Sequence, residues 1–304
     1  MKVKKILGLG LVTAMIAAAA SGCTTSSETS GSSTASSGAD SSAFKADRAI
    51  TVVSREDGSG TRGAFIELFG IEEKDANGNK TDKTTTEAII ANKTDVMLTN
   101  VAGDEYAIGY VSLGSLSSSV KAVKIDGTDA TPENVKNGTY KIARPFNIAT
   151  KAEISDTAKD FIDFILSQEG QEVVTNGYIP VNDSASAYSG SKPAGKIVVA
   201  GSSSVSPIME KLKEAYLAVN TNAEIEIQTS DSTSGMNGAI EGTCDIGMAS
   251  RDLKESELAE LTPTAIALDG IAVIVNNQNP IENLTSDSVK TIFTGEVTSW
   301  SEAE

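Results

Sequence analysis

The chain has 304 residues, with 25 Lys+Arg against 41 Asp+Glu, a formal net charge of −16 and no histidine. That balance argues against a nucleic-acid binder or a protein held on anionic lipid by basic residues, since both need a positive face. Without imidazole, a Ser-His-Asp triad, a Cys-His pair and the His-containing zinc sites are excluded.

The first segment reads as an address. Lys2, Lys4 and Lys5 precede an apolar run at residues 6–20, then small residues, then Cys23, which is the layout of a secretory leader over residues 1–23. The ending Ala20-Ser21-Gly22-Cys23 resembles a bacterial lipobox, implying that Cys23 is diacylated and becomes the new N-terminus. Two acyl chains give stable attachment to the outer face of a membrane. An uncleaved anchor is the other reading, but the run is short for a span of about 20 apolar residues. With Cys23 lipidated, Cys244 has no disulfide partner and is expected to be a small buried residue. Residues 24–44 hold 13 Ser or Thr among 21, so they are expected to form a flexible tether.

Two blocks follow. In residues 45–183 we expect a strand at 49–53, a glycine-rich turn, an amphipathic helix at 62–69, a surface loop at 72–83, and strands at 107–111 and 120–125. A helix is expected at 158–174, with Phe161, Ile162, Ile165 and Leu166 along one side. A small polar linker at 184–195 leads to residues 196–304. There we expect strands at 197–200, 224–228, 245–249 and 271–275, and helices at 207–219, 235–241 and 286–293. Strands alternating with helices mean an α/β architecture with mainly parallel sheets. No internal repeat is present.

Three turns at helix starts look suited to an anion. The first runs Ser54-Arg55-Glu56-Asp57-Gly58-Ser59-Gly60-Thr61-Arg62. Glycines allow close approach and positive φ, the N–H groups of a first helical turn are unpaired at the positive end of the dipole, and Arg55 offers a fork of donors. The second is Gly201-Ser202-Ser203-Ser204-Val205-Ser206-Pro207, with proline suited to a first turn. The third is Ser230-Asp231-Ser232-Thr233-Ser234-Gly235-Met236. Each alone is compatible with an ordinary helix cap. Three together suggest helix starts converging on one anion, which needs no overall positive charge. No Gly-Lys-Ser/Thr follows any of them, so nucleotide hydrolysis is not expected. Ser59 has no base to activate it, and the chain reads as a binder rather than an enzyme, without cofactor or metal.

Several strings resemble the phosphate-binding lipoproteins of bacterial phosphate ABC importers. They are Ile50-Thr-Val-Val-Ser-Arg-Glu-Asp-Gly-Ser-Gly-Thr-Arg-Gly-Ala-Phe65, Tyr106-Ala-Ile-Gly-Tyr-Val-Ser-Leu-Gly114, Ala143-Arg-Pro-Phe-Asn-Ile148, Cys244-Asp-Ile-Gly-Met-Ala-Ser-Arg251, Asp269-Gly-Ile-Ala-Val-Ile-Val-Asn276 and Phe293-Thr-Gly-Glu-Val-Thr-Ser-Trp300. The resemblance implies a two-lobed periplasmic-binding-protein-like (type II) fold, with two crossover strands, closing on one phosphate. It implies that Arg55, Ser59, Gly60 and Thr61 hold the anion from one lobe, and Ser203, Ser204, Val205, Thr233 and Ser234 from the other. Trp300 is expected in packing.

The halves come in the reverse of that family's usual order, because the segment resembling its N-terminal half lies at 196–304 and the C-terminal half at 45–183. A circular permutation through the 184–195 linker is therefore expected, with a truncated tandem or a misassembled gene as duller readings. Compact domains tolerate this because their termini lie close together. The lobes would then be 49–142 plus 273–304, and 143–272, with crossovers near 143–148 and 271–276.

One departure bears on selectivity. The best-known members carry an aspartate after the serine equivalent to Ser250, and it accepts the proton of HPO4(2−); here Arg251 follows. Asp57 can fill that role or orient Arg55, and Arg251 can bind the anion or pair with a surface acid. The expectation is an extracytoplasmic, lipid-anchored monomer that captures inorganic phosphate and docks on a membrane permease. Alternatives are a binder of sulfate, molybdate or tungstate, and a surface sensor or adhesin that keeps the fold.

Overall fold

The computed structural model describes residues 44–303 apart from Asn77. The leader, the lipobox cysteine Cys23 and the tether as far as residue 43 lie outside the described residues. In chain order the first elements are β1 (Thr51–Arg55), α1 (Gly60–Leu68), a hairpin of β2 (Glu72–Lys74) and β3 (Lys80–Asp82), β4 (Ile89–Ala91), α2 (Thr94–Gly103), β5 (Ala107–Ser112), β6 (Val120–Ala122), β7 (Lys124–Ile125) and α3 (Pro132–Lys136). β8 (Ala143–Thr150) leads on to α4 (Asp156–Leu166), α5 (Gln168–Val174), β9 (Ile179–Pro180), β10 (Gly195–Ser202), α6 (Ser206–Val219), β11 (Ala223–Ser230), α7 (Ser232–Glu241), β12 (Ile246–Ala249) and α8 (Glu255–Leu258). β13 (Thr262–Asn276) leads back, followed by β14 (Asn283–Leu284) and α9 (Ser286–Thr294).

The main sheet runs β11-β10-β12-β8-β13-β5-β1-β4, with β6 and β9 also pairing with β13. Each flank is parallel, β10 with β11 and β12 on one side and β1 with β4 and β5 on the other. The middle is antiparallel, because β8 and β13 run in opposite directions between the flanks. The sheet is thus mixed rather than mainly parallel; only the βαβ units on either side need parallel neighbours.

The buried apolar residues separate where this middle begins. One core gathers Val53, Phe65, Ile71, Ile108, Tyr110, Ile271–Val275 and Phe293. The other gathers Phe146, Ile148, Phe161, Phe164, Val199, Ile208, Leu212 and Ile246. Each fully buried side chain of this size contributes about 1.5–3 kcal/mol, so each lobe carries its own stabilisation. β13 serves both. Its residues Thr262–Gly270 pair with β8, and Ile271–Val275 pair with β5. The changeover therefore falls at Gly270/Ile271, and Ile271 and Ala272 pack with the first core.

Local chemistry sets several boundaries. The expected helix at 158–174 is two helices, because Ser167 takes an extended backbone and caps the second by accepting from the Gly170 N–H. The side facing the core is Phe161, Phe164 and Ile165, with Ile162 and Leu166 half-buried. The expected loop at 72–83 contains the β2–β3 hairpin. The linker has no regular structure over 184–194 but is held at several points: buried Asp160 accepts from the Tyr188 hydroxyl at 2.6 Å and the Ser191 N–H at 2.8 Å. Residues at the two ends of the described chain also meet, with Ile50 N–H donating to Thr298 O at 2.8 Å and Ser301 N–H to Ala46 O at 2.8 Å. Trp300 is buried and donates through Nε1 to Tyr106 O. Cys244 is buried as well, and burial pushes its thiol up to about 11.

Candidate functional site

Four helix starts face one another across the boundary between the lobes. β1 ends at Arg55, and α1 begins after Ser59, which caps it by accepting from the Arg62 N–H. β4 runs into α2, which begins at Thr94. On the other lobe β10 runs into α6, and β11 into α7, whose cap is Asp231. Parallel strands of a βαβ unit all deliver their helix starts to the same sheet edge, which is why open α/β folds bind ligands there.

The side chains at these starts form one buried hydroxyl cluster. Thr61 Oγ1 lies 2.9 Å from Ser204 Oγ and 3.1 Å from Ser250 Oγ. Thr94 Oγ1 lies 3.2 Å from both Ser203 and Ser204, and its N–H donates to Ser203 Oγ at 3.3 Å. Ser202 Oγ donates to Ser250 Oγ at 3.0 Å, and Ser232 Oγ accepts from the Ser250 N–H at 3.1 Å. Arg55 is 3% exposed and donates from Nη2 to Ser203 Oγ at 3.0 Å and from Nη1 to Thr94 Oγ1 at 3.4 Å. Its orientation is fixed from behind, since Nε and Nη2 fork onto Glu56 at 2.8 and 2.7 Å and Nε also donates to Ala91 O at 3.1 Å. Thr61, Thr94 and Arg55 of one lobe thus bond to Ser203, Ser204 and Ser250 of the other, so the described conformation is closed.

Glycines permit that closure. A Cβ on Gly60 would stand 2.4 Å from Ser232 Oγ and 2.9 Å from Ser250 Oγ, and one on Gly58 would stand 2.2 Å from Asp231 Oδ1. Neither has positive φ. They are needed for the approach of the opposite lobe rather than for a left-handed turn. Gly201, at φ 135 near the end of β10, is the glycine beside the site that does need that freedom.

Of the residues expected at the site, Arg55, Gly60, Thr61, Ser203, Ser204 and Ser250 come together here, all buried, and Ser59 is buried as the cap of α1, its N–H donating to Glu56 O at 3.0 Å. The others sit differently. The Val205 N–H is taken by Ser202 O at 3.0 Å, and its side chain is in the second core. Thr233 is at the rim, where its N–H and hydroxyl both donate to Gly58 O at 3.2 Å. Ser234 is exposed, and both its N–H and its hydroxyl are spent on the capping Asp231. Asp57 is 97% exposed and pairs with Arg62 instead of Arg55. Arg251 forks onto Glu257, a buried acid rather than a surface one, at 2.8 Å on both oxygens. Burial pushes Glu257 up, but the Arg251 fork and the Lys254 N–H outweigh it and leave its carboxyl below the ordinary range.

Sequence reasoning missed Thr94, Ser202, Ser232, Arg144 and Asp269. Arg144 donates from Nη2 to Thr61 Oγ1 at 3.2 Å and pairs through Nη1 with the carboxylate of Asp269. That carboxylate is fully buried and also accepts from the Ser112 hydroxyl and the Gly114 N–H. Burial pushes Asp269 up and Arg144 down, each opposed by its partner. A cleft of about 940 Å³ lies alongside, lined among others by Glu67, Lys80, Arg144, Arg251 and Lys254. Among the described residues there is no group of acids and cysteine able to hold a metal ion, and no helix long and apolar enough to cross a membrane.

A PBP superfamily domain matches residues 18–169 and 186–304. Phosphate-binding protein PstS 2 of Streptococcus agalactiae is 56% identical over 264 residues, covering 86% of this chain and 90% of that protein. PstS 2 of Streptococcus pneumoniae is 46% identical over 256 residues, covering 84% and 88%. The crystal structure of a phosphate-binding protein of a phosphate ABC transporter from S. pneumoniae superposes with a TM-score of 0.67 at 46% identity, covering 84% of this chain and 100% of that one.

Proposed function

Because the chain belongs to the PstS phosphate-binding proteins of the PBP superfamily, we propose that it captures inorganic phosphate between its lobes and delivers it to the permease of an ABC importer. The observation that carries this reading is the convergence of four helix starts and Arg55 on one buried cluster of hydroxyls. In the closed form these hydroxyls bond to one another across the lobes. An oxyanion between them replaces neutral hydroxyl–hydroxyl bonds with charge-assisted ones, which are roughly twice as strong. Phosphate therefore stabilises closure, and opening releases it.

The ligand-binding set in this reading is Arg55, Ser59, Gly60, Thr61, Thr94, Ser203, Ser204, Ser232 and Ser250. Thr233 closes the rim, where Arg251, held by Glu257, donates from Nη2 to its hydroxyl at 3.3 Å. Capture takes place outside the cytoplasm, with Cys23 acylated and the Ser/Thr-rich tether giving reach from the membrane. The leader pattern supports this part of the reading.

The order of the halves is proposed to be a circular permutation held in common with the streptococcal relatives. An alignment covering 86% of this chain and 90% of that relative supports the same order in both. The pairing of residues 46–50 with 298–301 supports it too, since the usual connection would be remade there over a short distance.

Titration calorimetry of the full chain with inorganic phosphate tests the function. The expected result is saturable 1:1 binding that Arg55→Met and Thr61→Val weaken. No heat with phosphate, together with saturable binding of molybdate or tungstate, would replace phosphate by another oxyanion.

A further inference from the structure

Arg144 and Asp269 form a buried ion pair at the place where β8 and β13 pass between the lobes, as direct partners in the strand register. Their side chains are 3% and 0% exposed. Burying such a pair is a poor way to gain stability, because desolvation offsets most of the attraction. Arg144 Nε is in addition buried without a partner, a further cost. A staple between two strands already joined by backbone hydrogen bonds does not need a guanidinium.

The distribution of its donors suggests another role. Nη1 is spent on the carboxylate of Asp269 and on the carbonyls of Asp269 and Gly270, at 3.0 and 2.9 Å for the two carbonyls. Nη2 is left to donate to the Thr61 hydroxyl. A guanidinium has no acceptor, while a hydroxyl has one proton and two lone pairs. With Arg144 on one lone pair, the Thr61 proton must be given to something else. Ser204 and Ser250 stand ready in the closed cluster, and an anion oxygen would take their place.

We propose that Arg144 is a positioning residue for oxyanion capture: held by Asp269, it occupies the acceptor side of the Thr61 hydroxyl and turns its proton toward the anion. This rests on the reading of the hydroxyl cluster as the anion site. The other carboxylates around the cluster are engaged in the same way, Glu56 by Arg55 and Glu257 by Arg251. The cluster therefore presents rotatable hydroxyls and fixed donors to the ligand, without a free carboxylate.

A cycle of variants tests this, titrated with inorganic phosphate on the full chain. One arm is Thr61→Val. The other is the paired change Arg144→Gln with Asp269→Asn, which avoids leaving a single buried charge. Each arm is expected to weaken phosphate binding about tenfold, the size of one hydrogen bond to an ion. Combined, they should be no weaker than Thr61→Val alone, because Arg144 acts through the hydroxyl that valine lacks. Losses that multiply to about 100-fold show that Arg144 acts independently of Thr61, and overturn the proposal. Should the paired change prevent folding, Arg144→Lys replaces it, since an ammonium keeps the charge opposite Asp269 but cannot fork to both partners. A tenfold loss with Thr61 present and none in the Thr61→Val background supports the role; equal losses in both refute it. If Thr61→Val itself leaves phosphate affinity unchanged, the capture site is misplaced and both readings fall together.

Discussion

Replacing Arg55 by methionine removes one charge from the cluster while keeping a long buried side chain. The geometry gives the expected size of the effect. Two N–H groups face the cluster, Nη2 toward Ser203 and Nη1 toward Thr94, and each charge-assisted bond is worth about 1.5–3 kcal/mol. Allowing for partial compensation by neighbouring donors, the loss should be about 3–4 kcal/mol, a rise in Kd of two to three decades. The free protein should suffer less. Glu56 is 19% exposed and can turn to water once its partner is gone, so the thermal midpoint should move by only a few degrees. Arg55→Lys should rescue little, because an ammonium cannot reach Glu56, Ser203 and Thr94 together. Calorimetric titration with phosphate and a thermal scan without it measure the two effects. A Kd within threefold of the parent, with the midpoint preserved, would refute the reasoning and leave the helix starts as sufficient donors by themselves.

Gly60→Ala should weaken phosphate binding at least tenfold, because its Cβ would meet Ser232 and Ser250 of the opposite lobe; small-angle scattering should show that added phosphate no longer compacts the chain. Gly235→Ala clashes within one lobe, at 2.6 Å from Gly201 Cα and 2.7 Å from Ala200 O, so it should instead lower stability by about 1–3 kcal/mol in denaturant titrations. Ser250→Ala, at the centre of the cluster, should cost about tenfold in Kd, whereas Asp57→Asn and Ser234→Ala should leave Kd within about twofold, since an exposed pair and a cap residue are worth little to the ligand. Sulfate should compete with phosphate to within about tenfold in calorimetric displacement, because serine hydroxyls can rotate from accepting to donating and no unpaired acceptor is left facing it. Glu257 has a carboxyl held below its ordinary value of 4.5, so its pairing with Arg251 stabilises the fold above that pH and is lost as pH falls through the lowered value. Glu257→Gln should therefore lower the melting temperature at neutral pH, and the gap to the parent should close only below 4.5.

The helix starts were legible because their chemistry is local. Glycine beside serine after an apolar strand marks a cap whatever surrounds it, and Arg55, Ser59, Thr61, Ser203 and Ser204 all lie in such stretches. Thr94 was not legible, since Lys93-Thr94-Asp95 carries no glycine and only the parallel pairing of β1 with β4 brings it to the same edge. Arg144 and Asp269 are 125 residues apart and meet only because β8 and β13 pair in one register. Around α7 the pattern was present but read two residues too far along: Asp231 followed three positions later by Ser234 is a capping pair, which spends Ser234 and leaves Ser232 facing the cluster. The expected parallel sheet failed in the middle for a related reason. Periodicity finds strands but not their directions, and a strand of 15 residues serving two lobes has no local signature beyond its length.

A chain with a net charge of −16 has to hold an anion without a field that attracts it from afar. The arrangement of charges indicates how. Each arginine around the cluster is fixed by a carboxylate, Arg55 by Glu56, Arg144 by Asp269 and Arg251 by Glu257, so the site is close to neutral and its grip depends on aimed N–H and O–H groups at short range. Those groups are divided between the lobes. Arg55, Thr61 and Thr94 stand on one, and Ser202, Ser203, Ser204, Ser232 and Ser250 on the other. Neither set alone surrounds a tetrahedral anion, and neither carries a surplus of positive charge that would retain one after separation. On the proposed reading of the site, affinity is therefore a property of the closed form, and opening the lobes is enough to discharge the ligand, as a carrier handing its cargo to a membrane partner would require.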